Sequence, residues 1–245
     1  MTASRGARTN FSRRLWRESK TAKRARSKLV IARLRSMYPD AAAELDYDSP
    51  FQLLISVILS AQTTDVTVNR VTPRLFRRFA TAKALAKAPQ TEVEELVRQT
   101  GFFRSKARAI RETSAHIVDE FDGKVPQTMN ELLRLRGVAR KTANVVLGEA
   151  FGIASGIVVD THVKRLAQRL GFSQAQDPVK IERDLMEVID SEDWIFAGIA
   201  TIWHGRRVCD ARRPDCDSCE LNNICPSSTA PARPVQSPFR TTGTS

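Results

Sequence analysis

The sequence predicts an all-α protein. Three observations carry that expectation. From residue 28 onward, apolar residues recur at helical spacing. No stretch sustains the period-two alternation, bounded by turn dipeptides, that marks a strand. Helix-start residues (Ser, Thr or Asp, twice followed by proline) stand just ahead of several apolar runs.

Taken in order, Leu29, Ile31, Leu34 and Met37 open an amphipathic helix that stops at Tyr38-Pro39. Ser49-Pro50 pairs a cap with proline at the first helical position and starts a nearly all-apolar helix through Leu59. A helix hydrophobic on every side belongs in a core. Thr64 or Asp65 caps the next helix, to about Phe79; shorter ones follow near 81–87 and 91–99, and a longer one runs over 105–121 until Asp122-Gly123. Helices at 128–135 and 141–151 flank Arg136-Gly137-Val138-Ala139-Arg140. Asp160 precedes a helix to Leu170-Gly171, Asp177-Pro178 opens another to Ile189, and the last spans 192–206. From Pro226 the chain is rich in Ser, Thr and Pro, the composition of a disordered tail.

Length and composition bound the function. The 245 residues suit one large or two interleaved domains, and 42% hydrophobic with 27% charged residues is a globular balance. The longest apolar run, 51–61, is about half a membrane span and contains Gln52, Ser56 and Ser60, so no membrane partner is expected. The basic start is not followed by an apolar segment of the secretory kind, which points to a reducing, cytoplasmic or nucleoid-associated setting; the Arg- and Ser-rich beginning also suits an organelle-targeting peptide. Net charge is +12, which suggests a polyanionic partner, nucleic acid first. Residues 1–35 hold twelve Lys and Arg against Glu18 alone, so they supply +11 and the remainder only +1. That segment reads as a solvated arm or a DNA-contacting one.

Cys209, Cys216, Cys219 and Cys225 are spaced C-x6-C-x2-C-x5-C. Four thiols within 17 residues, stiffened by Pro214 and Pro226, suggest a metal centre. Zinc sites usually pair two short knuckles across a longer gap, and one knuckle is present; a compact loop also suits a four-iron cluster with one thiolate per iron. Spacing alone leaves cluster, zinc and unligated thiols open.

This spacing after Trp203-His204-Gly205-Arg206 resembles the cluster loop of the endonuclease III family of DNA repair glycosylases. Three further blocks resemble that family in the same order: Leu59-Ser60-Ala61-Gln62-Thr63-Thr64-Asp65, Leu135-Arg136-Gly137-Val138-Ala139-Arg140-Lys141-Thr142-Ala143 and Val159-Asp160-Thr161-His162-Val163. The resemblance covers about residues 28–226. It implies a two-domain helix-hairpin-helix glycosylase fold: a disordered arm at 1–27, a cluster-bearing domain of 28–46 plus 156–226, a six-helix barrel at 47–155 with its hairpin near 128–151, and a disordered tail at 227–245. It also implies a [4Fe-4S] cluster on the four cysteines, a monomer, and damaged double-stranded DNA lying in a cleft with Lys141 and Asp160 on its two walls.

Physical chemistry gives these blocks their roles. A tight Gly-containing turn before a helix presents backbone N–H groups and a positive dipole end to phosphate without reading sequence, and Arg140 adds charge there. A lysine at such a helix start is disfavoured by the dipole, and with partial burial its amine becomes a nucleophile near neutral pH. In the resembling family the lysine matching Lys141 attacks C1′ of a flipped nucleotide and forms a Schiff base, and β-elimination cuts the strand 3′ to the site; the aspartate matching Asp160 helps deprotonate it. Gln62 resembles the family's gap-filling glutamine, and Phe102 stands where an apolar wedge enters the opposite strand. Arg212 and Arg213, inside the cysteine loop, project toward phosphate. Two residues depart from the family's Leu-Pro-Gly-Val-Gly hairpin. Arg136 replaces proline and adds a charge for phosphate. Ala139 replaces glycine; if the turn needs positive φ there, alanine costs about 1 kcal/mol or more and a weaker grip on DNA than in typical members is expected. The reading is a bifunctional glycosylase/AP lyase for oxidised pyrimidines. A monofunctional mismatch glycosylase of the same fold, which usually lacks the lysine, and a non-catalytic zinc or DNA-binding module are the alternatives.

Overall fold

Ser19 caps helix α1 (Lys20–Met37), its hydroxyl accepting the Ala22 N–H at 3.1 Å. This computed structural model describes residues 18–231. Residues 20–27, expected in a disordered arm, are therefore helical. The reason is tertiary. Arg26 is only 9% exposed: its guanidinium pairs with Glu18 at 2.8 Å, donates to Leu170 O at 2.6 Å and lies over the Phe172 ring. Ser27 donates to Val188 O. None of these partners is visible in local periodicity. The rest of the expected arm, 1–17, and the tail beyond 231 lie outside the described residues. Residues 227–231, expected in the disordered tail, are tied back through buried Asn222, which bonds Ser228 and donates to Pro231 O at 2.9 Å.

The other α-helices are α2 (Pro50–Leu59), α3 (Asp65–Arg78), α4 (Ala82–Ala86), α5 (Gln90–Val97), α6 (Phe103–Phe121), α7 (Met129–Leu132), α8 (Arg140–Phe151), α9 (Thr161–Arg169), α10 (Pro178–Met186) and α11 (Trp194–Arg207). No strand occurs among the described residues. Caps written locally at Ser49 and Thr64 form as read, each accepting a backbone N–H of the first turn, and Thr128 caps its helix in the same way. α7 is a single turn, and α6 starts two residues earlier than its apolar pattern indicates.

The chain divides into two compact units. One spans Asp40–Asp160 and Asp190–Ala200. In it α2 lies against α3, α6 and α8, while α6 lies against α4 and α5. Leu53, Leu54, Ile55 and Leu59 of α2 are fully buried, each worth roughly 1.5–3 kcal/mol of hydrophobic stabilisation. The stretch 47–155 contains seven α-helices, α2 to α8. The other unit combines residues 18–39 with Thr161–Ile189 and residues 201–231; here α9 lies against α10.

These boundaries depart from the expected ones at three places. Residues 40–46 join the larger unit because the Ala43 N–H donates to Glu149 at 2.9 Å and Asn69 bonds Asp46 N and Glu44 O. Residues 190–200 join it through glycine-thin packing: a Cβ on Gly198 of α11 would meet Val158 N at 3.1 Å, and one on Gly148 of α8 would meet Ile195 at 3.2 Å. The end at Asp160 follows from the same packing on Val158, assisted by Ser155 donating to Asn144 at 2.9 Å.

Candidate active site and metal centre

The hairpin is α7, a turn and α8. Thr128 caps α7 and donates to Glu131 at 2.6 Å. The turn closes with Val138 N–H on Leu135 O and passes through Gly137 at φ +79°. There glycine is required twice over, since a Cβ would also meet Ile58 and Ala109 side chains at 3.2 and 3.3 Å. Ala139 then caps α8 in an extended conformation, φ −96° and ψ 171°, with no side-chain cap bond. The alanine is therefore unstrained, which corrects the expectation that it weakens the turn. The first N–H groups of a helix have no intrahelical partner, so this turn aims donors and a positive dipole end outward, with Arg140 alongside.

Lys141 is the second residue of α8 and is exposed. The partial burial expected for it is not supplied by the protein; a nucleotide closing over it would have to desolvate it. Asp160 immediately precedes α9 and is half-buried, delivered by the buried segment Ile157, Val158 and Val159 on which Gly198 sits. It ends the unit that carries Lys141 instead of belonging to the cluster-bearing one, a correction to the expected division.

Gln62 and Phe102 lie at exposed tips of this unit. Gln62 follows the end of α2 at φ +54°, and Phe102 precedes α6 at φ +48° with 69% of its surface exposed. Phe102 is thus not a core residue. Phe103 is half-buried, with the guanidinium groups of Arg98 and Arg104 near its ring. Arg136 reaches Glu112 on α6 at 2.5 Å; both side chains are about half exposed, so the pair is weak enough to be exchanged for a phosphate.

The four cysteines belong to the other unit, and all four line one cleft that is partly open to solvent. Leu166, Leu170, Val208, Pro214 and Leu221 complete its apolar wall. Among the described residues, no three His, Cys, Asp or Glu side chains gather closely enough to hold one ion. Four thiol donors lining one pocket fit a thiolate-held metal centre. Burial pushes the Cys225 thiol up to about 11 and raises Cys219 as well, so thiolates here require a compensating cation.

Sequence reasoning missed what surrounds this centre. Arg169 of α9 donates to Cys209 Sγ at 3.1 Å, to Asp210 O at 2.7 Å and to Ala211 O at 2.8 Å; Arg165, one turn earlier, donates to Cys209 O and Gly205 O. His204 is buried, which lowers its pKa to about 4 and keeps the ring neutral. Its Nδ1 shares a hydrogen bond with the Tyr38 hydroxyl at 3.0 Å, and its Nε2 faces Cys219 Sγ at 3.4 Å. The i, i+4 arginines on one face of α9 were the available signal. Asp210 shapes the loop by accepting the Arg212 and Arg213 N–H groups, which also lowers its pKa, and leaves both arginines exposed.

The profile of the HhH-GPD superfamily of base excision DNA repair proteins matches residues 55–191. The endonuclease III of Synechocystis sp. is 55% identical over 209 residues, covering 85% of this chain and 95% of that one. The Escherichia coli enzyme is 38% identical over 196 residues, covering 80% and 92%. Among solved structures, a trapped endonuclease III–DNA covalent intermediate matches with TM-score 0.79 and 41% identity over 84% of this chain and 96% of that one. A thermostable thymine-DNA glycosylase matches at 20% identity with TM-score 0.75, a likeness of fold. The chain therefore belongs to the endonuclease III family within the HhH-GPD superfamily of base excision DNA repair proteins.

Proposed function

We propose that the protein is a bifunctional DNA glycosylase and AP lyase that removes oxidised pyrimidines from duplex DNA. The observation that carries this is an exposed lysine in the first turn of a helix, directly after a phosphate-binding turn, in a chain 41% identical to one trapped in covalent linkage with DNA.

The backbone donors at the start of α8 hold a phosphate beside the lesion, assisted by Arg140, and by Arg136 once it leaves Glu112. Phosphate contacts position the duplex without reading it. Flipping the nucleotide costs a few kcal/mol and leaves a gap; Gln62 and Phe102 fill it from their exposed tips. Asp160 accepts the proton of the Lys141 ammonium and passes it to the departing base, and the carboxylate so restored faces the positive charge developing on the sugar. The Lys141 amine attacks C1′, and the N-glycosidic bond breaks with its electron pair leaving on the base. Ring opening gives a Schiff base at Nζ. Loss of a 2′ proton then expels the 3′ phosphate oxygen, and water releases the lysine.

Cys209, Cys216, Cys219 and Cys225 hold a [4Fe-4S] cluster, which when bound braces the loop that presents Arg212 and Arg213 to the backbone. The decisive experiment is borohydride trapping with a duplex carrying one oxidised pyrimidine. Lys141→Ala should lose the covalent complex while keeping the visible absorption of the cluster; trapping that survives reassigns the nucleophile.

A further inference from the structure

Lys106, in the first turn of α6, is only 6% exposed. Its ammonium is held between Thr63 Oγ1 and Thr100 O, each at 2.7 Å, and the Thr63 hydroxyl in turn donates to Thr100 O. Thr63 directly follows Gln62, and Thr100 lies two residues before Phe102. One ammonium thus ties together the roots of two loops whose tips both carry a non-glycine residue at positive φ. Such strain persists where the surroundings over-determine it.

Packing does not explain a lysine here. Neutral oxygens are its partners, and desolvation lowers its pKa, so the charge is buried at a cost that an apolar side chain of the same length would avoid. What the ammonium does that a methyl group cannot is accept a fixed position relative to both threonines at once.

We propose that Lys106 is a positioning residue for nucleotide flipping, holding the Gln62 and Phe102 tips in register so that both enter the duplex together. This rests on the glycosylase reading above and adds to it the part that pre-organises the wedge. The cost of losing the brace then depends on how much unpairing the tips must do.

The test uses the full chain with its cluster and two duplexes, one with an oxidised thymine paired to adenine and one with the same lesion between flanking mismatches. Under single-turnover conditions, Lys106→Met should lose about tenfold on the paired duplex, the scale of a hydrogen bond to a charged group. The loss should shrink below about threefold on the mismatched one, where flipping is already cheap. Thr63→Val, which removes the hydroxyl from a half-buried position, should give the same pattern and carries the test if Lys106→Met does not fold. In a Gln62→Ala, Phe102→Ala background, Lys106→Met should cost nothing further. Equal losses on the two duplexes, no loss on either, or an undiminished cost in that background overturns the proposal. A wild-type protein that cleaves neither duplex overturns the glycosylase reading itself.

Discussion

Gly137 and Ala139 stand two residues apart in one turn and make opposite demands. Gly137 lies at φ +79° with two side chains within 3.3 Å of where a Cβ would point. Gly137→Ala should therefore cost about 1–3 kcal/mol of stability, from backbone strain and crowding against Ile58 together. It should also weaken DNA binding, because the turn that aims the α8 donors is displaced; thermal unfolding and a binding titration check both. Ala139 has φ −96°, a value any residue adopts. Ala139→Gly should gain no affinity and change stability by less than about 1 kcal/mol, because the freer unfolded chain opposes the preference for glycine over alanine at a helix N-cap. Sequence comparison alone ranks both positions as glycine sites. Only the backbone angle separates them.

At the scale of elements, what was legible was local. Ser49 and Thr64 cap their helices because a cap needs only its own first turn. The start of α1 was not legible, since Arg26 and Ser27 are ordered by partners more than 140 positions away. Nor was the assignment of 190–200, which depends on Gly198 meeting the Val158 backbone. The candidate site divides in the same way. Lys141, Asp160 and the four cysteines stand in recognisable blocks, while Arg165, Arg169, His204 and Lys106 act through partners that spacing does not record. Arg169 supports the clearest element-scale prediction. Its guanidinium spans Cys209, Asp210 and Ala211, so it holds the loop's first thiol and the backbone that leads into Arg212. Arg169→Met should reduce cluster retention about 10- to 100-fold, the usual effect of losing a partner behind a metal ligand. Visible absorption per protein after a timed oxidative challenge measures it; absorption that decays at the wild-type rate refutes the clamp.

For the whole molecule, the +12 net charge is the property most easily misread. Of the +11 carried by residues 1–35, part belongs to the folded body: Arg26 is buried against Glu18 and Leu170, and Arg33 donates to Glu220 O at 2.5 Å. A truncation that removed residues 1–27 would take away Ser19, Arg26 and Ser27 and with them the first two turns of α1, so it should unfold this unit and say nothing about charge. The informative cut falls after residue 17. It removes Arg5, Arg8, Arg13, Arg14 and Arg17 and no acid, taking the formal charge from +12 to +7. If those arginines meet phosphates, the slope of log affinity against log salt should become shallower by about 0.9 for each phosphate no longer neutralised, up to about 4.5 for all five. Lyase turnover at low salt should stay near wild type, because Lys141, Asp160 and the hairpin are untouched. Affinity measured across a salt series, alongside single-turnover cleavage at the lowest salt, separates the cases. An unchanged slope would show that the five arginines neutralise no phosphate. A collapse of turnover at low salt would place the segment inside the catalytic complex, and the +7 remainder of the chain would no longer account for DNA engagement by itself.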